Sequence, residues 1–201
     1  MMGNTHVAAG VATSILIVKP TDVPTLCATI IGGAIGGIIC DIEVRSNRHC
    51  RDALYARITA GVITLVCLVV DYFFGANFIK TVMNLPLWQL GIGIAVALFS
   101  LVKGRFSEHR TFTHSLLFMF LLAISVTILF PSMLEAFMVG FLSHILLDLL
   151  NKKPVQVFYP YFKDGFCFKL CYAGKTANKV CLISFAALCV IEIGYFFLFI
   201  F

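Results

Sequence analysis

Charged side chains are scarce in this chain of 201 residues: Asp, Glu, Lys and Arg make up 12% of it, whereas hydrophobic residues make up 60%. A soluble domain of this size carries far more charge, so the composition excludes an ordinary soluble globular protein. The apolar runs are continuous rather than alternating, which argues against a transmembrane β-barrel. We therefore expect an all-α, polytopic membrane helical bundle.

Several sequence signals are also missing. The eight cysteines form no CxxC pair, so neither a zinc-cysteine site nor a disulfide framework is expected. The sequence contains no GxSxG elbow and no Cys-His pair, so nothing in it indicates a covalent nucleophile. Basic residues form no stripe with interleaved aromatics, so we expect no nucleic-acid partner. The chain start lacks the positively charged region of a secretory signal, and we expect it to remain in the mature protein.

Seven apolar runs are predicted to be helices, separated by prolines and short polar segments. They cover residues 6–18, 26–40, 54–74, 87–102, 114–130, 133–150 and 178–201. No repeat or second domain is visible, so residues 1–201 are expected to form one integral membrane domain. In the second run, Gly32, Gly33, Gly36 and Gly37 form two overlapping small-xxx-small pairs, which predict close packing against a neighbouring helix.

The basic residues predict the orientation. If every run crosses the membrane, 13 of the 15 Lys and Arg residues fall on one side, leaving only Lys19 and Lys80 opposite. The positive-inside rule makes the rich side cytoplasmic, together with the N-terminus and an interfacial loop at 151–177. Aromatic residues and lysines flank Asp164-Gly165 in that loop, which predicts a short hairpin in the lipid headgroup layer.

Histidines and carboxylates from distant segments gather on the same side, at one depth. In this topology the cytoplasmic ends of the runs carry His6, Asp41, Glu43, His109, His114, His144 and Asp148. His144 and Asp148 are four residues apart and share one helical face. Imidazole and carboxylate are ligands of zinc, manganese and iron, and seven of them exceed the needs of one tetrahedral ion. We therefore expect two or three divalent ions, with zinc as the first choice and manganese or iron as alternatives.

Each of these residues also has a plainer interpretation. A single histidine in an apolar helix is usually a packed core residue, and Asp148 could simply mark a helix end. The role of Glu43 is open, since either carboxylate of the DIE motif could serve. His49 is expected to be a solvated loop residue. The shared depth of four histidines is what favours a metal site over these separate interpretations.

Other residues are expected to support the site. Asp41 or Asp148 is the best candidate for a carboxylate that bridges two ions. Arg110 could orient a phosphate, although an arginine in a cytoplasmic loop needs no such role. We place His109 in a loop and His114 in the first turn of a helix, with Thr113 as its N-cap. Ser115 and Ser143 are candidates for orienting the imidazoles.

The motifs together resemble a known family. His6 followed by Gly10, DIE at 41–43, HRTFTHS at 109–115, GFLSHILLDLLN at 140–151 and YPYF at 159–162 are similar to the YdjM family of LexA-regulated inner-membrane proteins, which are regarded as metal-dependent hydrolases. The family's acidic motif commonly reads PDID, whereas this chain has CDIE. The ligand style is also remotely similar to the zinc-dependent phospholipase C and S1/P1 nuclease group.

These resemblances imply a multi-pass protein of the bacterial inner membrane that hydrolyses a phosphoester with a metal-activated water. Asp41, Asp148 and Arg110 are the expected catalytic residues, and membrane lipids or an amphiphilic phosphoester are the expected partners; the sequence does not indicate an oligomeric state. A transporter for metal ions or protons is one alternative, since intramembrane His and Asp also form such pathways. A scaffold in which the metal only joins helices is another.

Overall fold

The computed structural model describes residues 2–44, 51–162, 164–170 and 175–201. These ranges contain eight α-helices, three short 3-10 turns and no strand. The α-helices are α1 Gly3–Val18, α2 Val23–Ile39, α3 Asp52–Phe73, α4 Asn77–Met83, α5 Leu87–Arg105, α6 Leu116–Leu129, α7 Leu134–Leu149 and α8 Lys175–Phe199. The 3-10 turns are Cys40–Glu43, Phe112–His114 and Pro131–Met133. The predicted all-α bundle is confirmed, and the predicted runs correspond to α1–α3 and α5–α8. His49 lies outside the described residues.

The short helix α4 was not predicted. It begins where the buried Asp71, at the end of α3, accepts hydrogen bonds from Phe78 N at 3.0 Å and Asn77 Nδ2 at 3.2 Å. The carboxylate thus satisfies a backbone N–H that the helix start leaves without an intrahelical partner. At seven residues α4 is too short to show a clear periodicity in sequence.

Five helical segments are long and apolar enough to cross a membrane: Val23–Glu43, Asp52–Phe73, Leu87–Arg105, Pro131–Leu149 and Thr176–Phe199. The most apolar window of the first is 72% buried within the protein, against 22%, 17% and 6% for the segments in α3, α5 and α8. Helix α2 is therefore central, and the apolar side chains of α3, α5 and α8 face outward, as lipid contact requires. Helices α1 and α6 are shorter apolar helices.

Glycines of α2 hold the bundle centre together. Gly33 and Gly37 face α1, where a Cβ on Gly33 would lie 2.6 Å from Gly10 O and one on Gly37 would lie 2.5 Å from His6 O. Gly36 faces α7 and meets the backbone of Phe137. The predicted close packing is therefore present, and α2 uses its two glycine pairs for two different neighbours. Because backbones meet directly, the relative heights of α1, α2 and α7 are tightly fixed.

The helix ends at one face of the bundle are tied to each other. Gly3 N at the start of α1 donates to Asp52 Oδ2 of α3 at 2.8 Å. Met2 N and Thr5 Oγ1 donate to Asn178 Oδ1 of α8 at 2.8 and 2.9 Å. These bonds satisfy helix-start N–H groups with side chains from other helices. They also bring the starts of α1, α3 and α8 to one level.

The segment between α7 and α8 packs back onto this face. Val155 and Phe166 form one antiparallel bridge around the predicted Asp164-Gly165 turn. This bridge joins the two sides of the predicted turn within the described part of the segment. Phe168 N donates to Leu149 O at 2.7 Å, and Leu116 N of α6 donates to Val157 O at 2.9 Å. The segment is therefore fastened to both α7 and α6.

Candidate metal centre

The structure brings all seven predicted ligand residues together at the tied face of the bundle. His6 comes from α1, Asp41 and Glu43 from the 3-10 turn after α2, His114 from the turn before α6, and His144 and Asp148 from α7. His6, His114, His144 and Asp148 are at most 2% exposed, so the site is formed inside the protein. His109 lies in the preceding loop, as predicted, and its side chain is 48% exposed.

Two imidazoles and one carboxylate form the centre of the cluster. His114 Nε2 lies 3.3 Å from His144 Nε2, and Asp41 Oδ1 lies 3.9 and 4.0 Å from these two nitrogens. Ligand atoms about 2.0–2.2 Å from a tetrahedral zinc ion are roughly 3.3–3.6 Å from each other. The two distances to Asp41 Oδ1 are slightly longer than this, so a small movement of Asp41 toward the two histidines would bring all three atoms to the spacing of zinc ligands.

Hydrogen bonding shows why a cation suits this triangle. His144 Nδ1 lies 2.8 Å from Gly37 O, which can only accept, so this nitrogen carries the hydrogen. His114 Nδ1 lies 3.0 Å from the hydroxyl of Thr113, which can accept or donate, and 3.6 Å from Glu43 Oε1, which can only accept. When both neutral rings carry the hydrogen on Nδ1, the two Nε2 atoms present lone pairs to one another. A proton or a metal ion relieves that repulsion, and the carboxylate of Asp41 supplies a third ligand for a metal ion.

His6 and Asp148 lie beside this triangle. The His6 ring stacks on that of His144 with centroids 3.9 Å apart. Its Nε2 is 3.5 Å from Asp148 Oδ1, while its Nδ1 is buried with no hydrogen-bond partner among the described residues. The same carboxylate approaches His114 Nε2 at 3.5 Å. Together His6, His144 and Asp148 form a second group with metal-ligand spacing.

Asp41 also belongs to a third group, with Glu43 and His109. His109 Nδ1 lies 2.9 Å from Glu43 Oε1, which is a hydrogen bond and closer than two ligands of one ion would be. Glu43 Oε2 is buried and has no partner within the described part of the chain. An acceptor oxygen of this kind suits a cation. The three groups overlap, since Asp41 is shared by two and His144 by two.

The donor set therefore fits divalent metal ions. It combines buried imidazole nitrogens, a shared carboxylate and unpartnered acceptor atoms, at spacings close to those of coordination. Asp41 is the residue that links the triangle to the outer group, so it has the position of a bridging carboxylate between two ions.

Arg110 contacts the site in a way that the sequence did not show. Its NH2 lies 2.9 Å from Asp148 Oδ2, and its NH1 donates to Lys153 O at 2.6 Å. The residue adopts a left-handed backbone conformation with φ of 65°, which turns its side chain toward α7. Nε is buried without a partner in the described regions. Arg110 thus orients Asp148, and Asn151 Nδ2 holds the other oxygen of that carboxylate at 3.0 Å.

Two further arginines hold the 3-10 turn Cys40–Glu43, here called the acidic turn. From the sequence, both arginines indicated only the orientation in the membrane. Arg57 of α3 donates from NH2 to Asp41 O at 2.7 Å and Val44 O at 2.6 Å. Arg105 of α5 donates from NH1 to Ile42 O and Glu43 O, both at 3.1 Å. The carbonyls at a helix C-terminus lack intrahelical donors and carry partial negative charge. The two guanidiniums therefore fix the turn that presents Asp41 and Glu43.

Three local predictions near the histidines were wrong. His114 lies in a 3-10 turn just before α6, and the N-cap is Ser115, whose Oγ accepts from Phe118 N at 3.2 Å. Thr113 Oγ1 instead contacts His114 Nδ1 at 3.0 Å. Ser115 and Ser143 do not orient imidazoles, since their hydroxyls donate to Phe112 O and Gly140 O. The 3-10 turn moves the N-cap by two residues, from Thr113 to Ser115.

The fold and the site define a multi-pass helical membrane protein with a buried cluster of histidine and carboxylate side chains at one end of its bundle. The model of the YdjM inner membrane protein family matches residues 1–200. The chain belongs to this family, and it is an inner membrane protein. No curated protein and no solved structure matches it.

Proposed function

We propose that this protein is a membrane-embedded, metal-dependent hydrolase that cleaves a phosphoester of an amphiphilic substrate, such as a phospholipid, at the cytoplasmic boundary of the membrane. The observation that carries the proposal is the triangle of His114, His144 and Asp41, in which two imidazole nitrogens and a carboxylate oxygen converge inside the bundle. The sequence-based topology, which assigns 13 of the 15 basic residues to the side of this cluster, supports a cytoplasmic position.

Two ions are proposed, with zinc as the first choice and manganese or iron as alternatives. Asp41, His114 and His144 would hold one ion, with Asp148 and His6 beside it, and Asp41, Glu43 and His109 would hold the other. Divalent ions in such a pair supply a water of lowered pKa and stabilise charge on the phosphoryl and leaving oxygens.

The chain's own residues would orient the reaction. Asp41 joins the two ligand groups, and its turn is fixed by Arg57 and Arg105. Arg110 keeps Asp148 aligned, and its unpartnered Nε is a donor that a phosphoryl oxygen can use. The hydroxyls of Ser115 and Ser143 donate to backbone carbonyls instead of imidazoles. This arrangement favours water over a serine as the nucleophile.

A transport function is less well supported by the same structure. A pathway needs polar stations through the depth of the membrane. Asp71, at the opposite end of the bundle, is occupied by hydrogen bonds to Asn77 and Phe78 at the start of α4. Among the described residues no histidine lies near that end, because His6, His109, His114 and His144 all belong to the cluster. The ionisable groups are therefore concentrated on one side.

Metal content and phosphoesterase activity test the proposal together. Purified wild-type protein should bind divalent metal, and His144→Ala should lose most of it. Phospholipid and nucleotide phosphoesters are then screened with added zinc or manganese, and Asp41→Asn should abolish any hydrolysis. Glu135→Gln is the matched control, because Glu135 is an exposed carboxylate at the other end of α7. Equal, near-zero metal in wild type and His144→Ala would end the proposal. Bound metal with no hydrolysis of any phosphoester would favour the scaffold alternative.

A further inference from the structure

An apolar groove lies next to the metal-ligand cluster. Its volume is about 250 Å³, and it is formed between the first turns of α6 and the segment that follows α7. Leu117 and Phe120 line it from α6, and Val157, Phe158 and Phe162 line it from the segment. Phe120 and Phe162 are 53% and 62% exposed. The groove is therefore open along one side, where two aromatic rings form its rim.

Backbone hydrogen bonds connect this groove to the cluster. Leu116, two residues after His114, donates to Val157 O at 2.9 Å. Gln156 N donates to Arg110 O at 3.0 Å, and Arg110 in turn contacts Asp148. Tyr159, another lining residue, packs against Phe112 with ring centroids 6.5 Å apart. One wall of the groove is thus built from residues adjacent in sequence to the candidate ligands.

The surroundings indicate what the groove would hold. On the side of α6 the groove continues onto the exposed apolar face of a helix in a membrane protein, where lipid chains are the neighbouring molecules. On the side of the helix ends, Lys153 and Lys169 are exposed and Arg110 is close by, so anionic headgroups are favoured there. Aromatic rings on the side of the apolar helix face, with lysines beyond them, are typical of the boundary between acyl chains and headgroups.

We infer that the groove binds an acyl chain of an anionic membrane phospholipid, so that the phosphoester of the same molecule lies at the metal-ligand cluster. This inference rests on the proposed function and specifies its substrate class. A soluble phosphate ester would gain nothing from the groove, whereas a lipid would bind through its chain without leaving the membrane.

Photolabelling tests this inference without requiring catalysis. Full-length protein is reconstituted in phosphatidylcholine nanodiscs with phosphatidylglycerol that carries a diazirine in one acyl chain, and labelled peptides are mapped by mass spectrometry. The labelling is repeated in Asp41→Asn, where turnover cannot consume the probe. The double variant Phe120→Ala with Phe162→Ala removes the exposed rim. Ile124→Ala, one turn further along α6 and 51% exposed, is the matched control.

We expect labelling to be concentrated in residues 116–120 and 157–162, and to be competed by unlabelled phosphatidylglycerol but not by glycerol phosphate. The double variant should lower this labelling roughly threefold to tenfold, as expected for loss of apolar contact, while Ile124→Ala leaves it unchanged. Labelling no stronger than on the exposed face of α3, or unaffected by the double variant, would overturn the inference. Groove labelling without any phosphoester hydrolysis would refute the proposed reaction but support lipid binding here. Hydrolysis of glycerol phosphate with no groove labelling would support the proposed reaction but refute lipid binding in the groove.

Discussion

Truncation of Arg57 should disturb the metal centre although this residue is not a ligand. Its NH2 group donates to Asp41 O at 2.7 Å and Val44 O at 2.6 Å. Hydrogen bonds from a charged group contribute about 1.5–3 kcal/mol each, and partial exposure of the arginine reduces this, so Arg57→Ala should cost about 2–4 kcal/mol of unfolding free energy. Because Asp41 is shared by two ligand groups, metal affinity should fall about 10- to 100-fold, as for other residues that orient ligands.

The assay combines thermal unfolding in detergent with metal content after dialysis against buffered zinc. Arg57→Lys keeps one charged donor and should recover part of both quantities. Arg51→Ala is the control, since Arg51 is exposed and its side chain does not cap α3. If Arg57→Ala were as destabilised as expected but retained wild-type metal affinity, the arginine would be purely structural and the reasoning about the acidic turn would be refuted.

Three further predictions concern packing, metal and capping. Gly33→Ala should destabilise the bundle by about 1–3 kcal/mol in thermal unfolding, because its Cβ would lie 2.7 Å from Ser14 Oγ, whereas Gly61→Ala, with nothing within 4 Å, should not. Chelation should lower the melting temperature of the wild type. Added zinc at about 100 times its Kd should raise the free energy of unfolding of the metal-free protein by about 2.7 kcal/mol. Neither treatment should change the stability of His144→Ala. Ser115→Ala should cost about 1 kcal/mol of unfolding free energy through loss of the α6 cap, and it should leave metal content unchanged. Metal loss in that variant would mean that the serine hydroxyl orients a ligand after all.

The gathering of the candidate ligands could be predicted from sequence because two long-range rules were sufficient. Alternate crossing of the apolar runs predicted a common depth for His6, His109, His114 and His144, which the structure brings together. The Lys and Arg distribution predicted the cytoplasmic side, which stays a prediction. Neither rule gives lateral neighbours, so the sequence could not show that His144 faces His114 or that His6 stacks on His144. The glycine pairs of α2 carried the strongest lateral signal, since small residues at that spacing exist to admit another backbone.

The sequence missed the arginine contacts for a different physical reason. Arg57 and Arg105 bind backbone carbonyls, which every residue possesses, so no pairing of residue types signals the contact. Arginines near a membrane boundary are also expected from topology alone. The α6 cap was predicted at Thr113 because His114 was expected in the first helical turn and Thr is an acceptable N-cap. Only the 3-10 turn over Phe112–His114 makes Ser115 the first residue before regular helix.

Helix packing and the candidate site depend on the same residue. Gly37 has no side chain, which allows His6 O on α1 to approach its backbone, while its own carbonyl accepts from His144 Nδ1 on α7. A larger residue there would push α1 away and separate His6 from His144, even though every candidate ligand would still be present. Helix α2, which leads into the turn that carries Asp41, therefore also sets the separation of the imidazoles around that carboxylate. For this reason the glycines of α2 belong to the architecture of the centre as much as to that of the bundle.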